Sequence, residues 1–252
     1  MGKILEVNGY TIESRADLEG ADLEGTDLRG ADLTYANLDG ANLSGANLDR
    51  VNLACASLKG ADLSGACVTR ALLGGADLSG ADLSGADFDS SLLNETSMKG
   101  ANFSGVKLSN SGLYRADLSD SDLSGANLFK ADLNETNFSG ANLSGANLLG
   151  SDLSHADLSG ADLREAIIGD ANFSGANLSG ADLRGVIGIH SAWLTKVDLT
   201  GASMPDATKA PAKKPAKKTA AKKSAKKSPA KKSAKKTAAK KPAKRAPKLL
   251  HE

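Results

Sequence analysis

Residues 16–40 read ADLEG ADLEG TDLRG ADLTY ANLDG, five consecutive pentapeptides with leucine at each third position. The pattern continues to Gly185 as 34 pentapeptides without an insertion. The third position is apolar throughout: 27 Leu, four Phe (Phe88, Phe103, Phe138, Phe173), Val68, Met98 and Ile168. The first position is Ala in 25 repeats, and the second is mostly Asp or Asn. In an α-helix, five residues advance about 500°, so successive leucines would smear around the cylinder. In a flat strand, residues i and i+5 point to opposite faces. A chain that bends once per pentapeptide resets the phase, so every leucine can point to one axis. The alanine two residues earlier then points the same way and must be small. Asp, Asn and Gly suit the bends, Gly for unusual φ and Asx for side-chain bonds to nearby backbone. Stacked turns of such a coil form a solenoid.

The number of edges per lap is legible in the fifth position. At residue numbers divisible by 20, or leaving 5, Gly fills 16 of 18 sites, the exceptions being Asp120 and Glu165. At remainders 10 and 15 it fills only four of 16. This 20-residue modulation predicts four pentapeptides per turn and about 8–9 coils, a rod of about 40 Å at ordinary strand spacing. The fold class expected is all-β, a quadrilateral β-helix.

The repeats ADLSG, ANLSG and ADLRG resemble the pentapeptide-repeat family over about two thirds of the chain. The resemblance implies a right-handed winding, with the central Leu or Phe stacked inward. One branch of that family, the quinolone-resistance type, resembles duplex DNA in width and charge and occupies type II topoisomerases such as DNA gyrase.

The ends break the repeat. Residues 1–15 contain ILEV-NG-YTIE, which reads as a hairpin turning at Asn8-Gly9 and covering the open first coil. Residues 186–205 form the C-terminal cap. There VIGIHSAWLTK (186–196) has one residue too many for the period, and Trp193 with Leu194 is expected to plug the floor of the rod. A homodimer through this cap is a second expectation.

The net charge of +1 conceals a split. Residues 206–252 hold 18 Lys/Arg against two acids, whereas residues 1–205 hold 13 bases against 28 acids. The basic segment is built from AKK, PAKK and SAKK, offers almost nothing to bury, and is expected to be disordered. It resembles the C-terminal arm of linker histones. Its lysine pairs, Lys213, Lys214, Lys217, Lys218, Lys222, Lys223, Lys226, Lys227, Lys231, Lys232, Lys235, Lys236, Lys240 and Lys241, are the candidate nucleic-acid-binding residues. At this density they neutralise phosphates and release counterions, giving sequence-independent, salt-sensitive binding. No aromatics interleave, so stacking on single-stranded bases is not expected. Ser228-Pro229 is a weak kinase-type motif.

Two sides of the coil are plain, with polar second positions and Gly corners. Their carboxylates Asp62, Asp82, Asp122, Asp162 and Asp182 are the candidates for a DNA-mimicking array. The competing reading is that Asx here is only turn chemistry. The other two sides hold the outward apolar exceptions, and Leu72, Leu92, Tyr114, Phe129 and Ile167 are the candidate partner surface.

Catalytic and metal chemistry are not expected. His155, His190 and His251 are scattered, and Cys55 and Cys67 form no CxxC pair. No phosphate loop, nucleophile elbow or HExxH is present, so no cofactor is expected. No apolar run of 18 residues suggests a spanning helix. The N-terminal MGKILEVNGYTIESR shows no secretion signal, so a cytoplasmic, nucleoid-associated protein is expected. The functional readings are therefore an acidic rod tethered to nucleic acid, a topoisomerase-binding DNA mimic, or a purely structural repeat protein.

Overall fold

A computed structural model describes residues 5–205, which lie in the first of two compact units, Met1–Ala212 and Lys213–Glu252. All lysine candidates from Lys213 to Lys241 lie outside the described residues. Strands β1 (Leu5–Val7) and β2 (Tyr10–Ile12) form an antiparallel hairpin. Its two central residues have positive φ, 51° at Asn8 and 83° at Gly9, as a two-residue primed turn requires. Ile12 is buried, and Val7 and Tyr10 pack on the first coil, so the hairpin covers that end as expected.

From Asp17 onward the backbone is a continuous coil. Every second-position residue from Asp17 to Ile167 bridges, in parallel, the residue 20 further on: Asp17 to Asn37, Asp22 to Asn42, Asp27 to Asn47, Asp32 to Asn52. Four pentapeptides therefore make one lap, and the coil is four-sided. We number the sides 1 to 4 from Asp17, Asp22, Asp27 and Asp32.

Each repeat places its five N–H groups in a fixed way. The Asn37 N–H donates back to Ala16 O (2.9 Å), and the Leu18 and Gly20 N–H groups donate forward to Asn37 O (2.7 Å) and Asp39 O (2.9 Å). The Ala21 N–H closes the corner onto Leu18 O (3.0 Å). The fourth-position N–H has no backbone acceptor, and in most repeats the second-position Asx takes it, as in Ser44 N–H to Asn42 Oδ1 (3.1 Å), whereas the Lys59, Ser109 and Tyr114 N–H groups reach Asp39, Asp89 and Asn94 one lap earlier. Asp and Asn serve this turn equally well, so the repeat demands an acceptor there and not a charge.

The fifth residue closes a turn that needs φ near +60°, and all 34 adopt it, including 14 that are not glycine. Inside, first- and third-position side chains fill the coil, with Leu, Phe and Ala almost wholly excluded from solvent. The four phenylalanines occupy four different coils and four different sides, so no coil must hold two. Where Ser or Thr replaces the inward Ala, its hydroxyl finds a carbonyl: Ser91 to Val68 O (2.7 Å), Ser111 to Phe88 O (2.8 Å), Thr136 to Leu113 O (2.8 Å). No buried side-chain polar atom lacks a partner among the described residues.

At the C-terminal end the bridge spacing changes from 20 (Ile167 to Ile187) to 21 (Asn172 to Trp193), which places the extra residue between 187 and 193. This overturns the expected plug. The shift puts Trp193 on an outward bridging position, where it is 64% exposed, and leaves only Leu194 facing the interior. Half-buried Ile189, Val197 and Leu199 line the last coil beside it.

Candidate interaction surfaces

The charges sort by side. Within the repeats, sides 1 and 2 carry 15 acids and four bases, while side 3 carries five of each. Side 4 carries five acids and one base, so side 3 is the one neutral side of the repeats, a division that total charge conceals.

On side 2 the carboxylates form one column, with Asp62 bridging Asp82 and Asp162 bridging Asp182. Each is first a turn acceptor: Asp62 for Ser64 N–H (2.8 Å), Asp82 for Ser84 N–H (2.9 Å), Asp122 for Ser124 N–H (2.9 Å). Asparagines in the column donate to the carboxylate one coil earlier, as Asn102 does to Asp82 (3.0 Å). The last two carboxylates differ. Arg164 grips Asp162 at 2.5 Å and reaches Asp182 at 3.9 Å, and Arg184 grips Asp182 at 2.5 Å. The Arg184 hydrogen bond holds the Asp182 carboxyl down to about 2, and Arg164 lowers Asp162 likewise. Asp162 and Asp182 are thus neutralised locally, whereas Asp62, Asp82 and Asp122 have no ion pair among the described residues.

The apolar exceptions fall on two adjacent sides. Leu72 and Leu92 bridge each other on side 4 and are 45% and 48% exposed. Tyr114, on the same side, is half-buried beneath the Arg115 guanidinium, 4.9 Å from its ring. On side 3, Phe129 lies under Lys130 (5.2 Å), and Ile167 bridges exposed Ile187. The five residues therefore form separate patches. Ile187, missed from sequence, and Trp193, expected as a plug, lie with Ile167 near the register shift. Ile187 is an ordinary outward second position, whereas the exposure of Trp193 follows from the shift, which only the bridge spacing dates to a particular coil.

A filled interior leaves only surface hollows, such as an open groove of about 540 Å³ bordered by Leu5, Asp27, Arg29, Gly30, Asp49 and Arg50. There Asp27 and Arg29 satisfy one another at 2.6 Å, and Asp49 serves Arg70 at 2.5 Å. No cluster of three metal-ligating side chains and no helix long and apolar enough to cross a membrane occurs among the described residues.

The sequence profile for pentapeptide repeats matches in eight copies between residues 14 and 187. The chain belongs to the pentapeptide-repeat family. Right-handed winding is what membership implies for this coil. No curated protein matches the chain in sequence. Among solved structures, this pentapeptide-repeat chain is similar to HetL, involved in heterocyst differentiation regulation in the cyanobacterium Nostoc sp. strain PCC 7120. The identity is 32% over 73% of this chain and 91% of HetL, with a TM-score of 0.30. It is similar at 19% identity to QnrB1, a plasmid-mediated fluoroquinolone resistance protein, over 78% of this chain and 93% of that one, with a TM-score of 0.44. A pentapeptide-repeat protein of the Arabidopsis thaliana thylakoid lumen is 36% identical over 41% of this chain and 65% of its own, with a TM-score of 0.27.

Proposed function

We propose that this protein is a non-enzymatic interaction protein, an acidic β-helical rod carried on nucleic acid by its lysine-rich segment. The observation that carries the reading is the charge split, 18 Lys/Arg within residues 206–252 against 28 acids in residues 1–205. The basic segment supplies sequence-independent attachment to phosphate, and the rod is displayed to proteins. A protein of this kind resides on the nucleoid of a bacterial-type cytoplasm. The test is a mobility shift with duplex DNA. The full chain retards DNA at low salt and loses about a thousandfold or more in affinity between 50 and 200 mM salt, the behaviour of a protein contacting six or more phosphates. A chain ending at Pro205 loses retention. Equal retention by the shortened chain removes the proposal.

A second reading, a DNA mimic acting on a type II topoisomerase, is favoured by one feature. Asp62, Asp82 and Asp122 stand in a column on the acidic flank without cations beside them. The rod then inhibits or protects gyrase in a supercoiling assay, and Asp→Asn at these three positions weakens the effect. Since Asn keeps the turn acceptor, such variants stay folded. An unchanged gyrase response to rod and variants eliminates this reading.

A further inference from the structure

Side 4 carries an anomaly in three successive coils. After a regular Asn52, its outward second positions are Leu72, Leu92 and Gly112, where regular repeats hold Asp or Asn. Beside these four residues, the fourth and fifth positions are small in the first two coils, Ala54-Cys55 and Gly74-Gly75. In the next two they are large, Asn94-Glu95 and Tyr114-Arg115. With no Asx at positions 72 and 92, the fourth-position N–H groups of Gly74 and Asn94 also lack the usual side-chain cap.

We propose that side 4 is a self-complementary interface on which a second copy of the chain lies antiparallel. The two-fold axis runs in the plane of the side, across the rod, between the coils of Leu72 and Leu92. This operation sets Leu72 of one copy against Leu92 of the other, closing the two exposed leucines over each other. It sets Gly74 against Asn94 and Ala54 against Tyr114, a small residue facing a large one each time. Along one border it sets Gly75 against Glu95, and Cys55 against Arg115. Along the other it sets Arg70 against Ser90. Arg50 there is held only loosely by Asp49, at 4.0 Å, and meets Asn110. No like charges oppose one another within these four coils. One coil further out on each side the same operation brings Asp32 against Asp132, so the complementarity is confined to these four coils.

Four coils span about 19 Å of rod, less than an ordinary stable interface covers. The dimer is accordingly weak and reversible. This inference rests on the reading of Leu72 and Leu92 as a partner surface, and not on the lysine-rich segment. Loss of DNA retention and loss of dimer are therefore separate outcomes.

The test is sedimentation of the full chain over a concentration series at about 0.5 M salt, where exposed charge contacts are screened. A reversible monomer–dimer equilibrium is expected. Leu72→Asp with Leu92→Asn restores the residue types of regular repeats, so the coil keeps its circular dichroism spectrum while Kd rises at least about tenfold. Direction is read by cross-linking. Arg115→Cys in a Cys67→Ser background gives a disulfide between the new thiol of one copy and Cys55 of the other under mild oxidation. A monomer at every concentration overturns the proposal. So does a dimer indifferent to the leucine substitutions, the mark of end-to-end pairing through the last coil. Exclusive linkage of Cys55 to Cys55 overturns the antiparallel arrangement.

Discussion

Asn142 Nδ2 donates to Asp122 Oδ1 at 2.9 Å, across one lap of the coil. The same asparagine accepts the Ser144 N–H through Oδ1 (3.1 Å), so one side chain caps its own corner and ties two coils together. Asn137 does this with Asp117 and Ser139, and Asn177 with Asp157 and Ser179. Alternating Asn with Asp along a column turns like-charge neighbours into hydrogen-bonded pairs.

Asn142→Asp keeps the corner acceptor but replaces a donor with a carboxylate between Asp122 and Asp162, making a run of four with Asp182. Stability is expected to fall by about 1 kcal/mol, the scale of a lost hydrogen bond plus like-charge opposition. Urea unfolding at low and high salt checks this, and the loss shrinks as salt rises.

Leu123→Ala removes a fully buried side chain from a coil that cannot collapse inward without breaking bridges on both sides. The expected cost is about 2–5 kcal/mol. Because each coil touches only its neighbours, hydrogen exchange should show faster opening centred on coils near Leu123, with distant coils protected as before.

Asp182 titrates at about 2 because Arg184 hydrogen-bonds its charged form. A carboxyl depressed on folding contributes stability that is present above its unfolded value and is lost as pH falls through its folded value. The contribution of Asp182 is therefore complete above about pH 4 and fades as pH drops toward 2. In a carbon-detected NMR titration, the Asp182 midpoint lies near 2 and moves up toward the ordinary carboxylate range in Arg184→Gln.

Gly140 has φ +69°, and a Cβ built there would lie 2.7 Å from Asp120 Oδ1. Gly140→Ala combines left-handed strain with this contact and is expected to cost about 1–2 kcal/mol. Asp120→Ala removes the contact while keeping a side chain at a left-handed position, so a double-mutant cycle of thermal melts with Asp120→Ala and Gly140→Ala separates the contact from the strain.

Much of this structure was legible in the repeat. A period of five with an inward leucine excludes helix and flat strand, and the glycine modulation counts the sides correctly. The Asn8-Gly9 turn specified its hairpin because both positions must take positive φ. The one-residue slip near 186–196 was also visible, but its consequence for Trp193 was not. Which side of the backbone a tryptophan takes depends on the residue where the register shifts, and composition carries no mark of that. Likewise ADLR at 161–164 and 181–184 looks like any other repeat. Only the turn geometry lets Arg164 and Arg184 curl onto Asp162 and Asp182 and remove two of five candidate carboxylates from the acidic array.

Sequence alone determined what recurs: the inward leucine column, the four-cornered lap, the capped start and the segregation of acid from base along the chain. These follow because each repeat meets the same local demands, one apolar side chain, one corner and one acceptor. Tertiary structure alone decided how residues one lap apart engage, such as Asn142 donating to Asp122 and Leu72 lying exposed beside Leu92, and where the register slips to turn Trp193 outward. Those neighbours are 20 or 21 residues distant in the chain, and only the closing of the coil brings them within about 5 Å of one another.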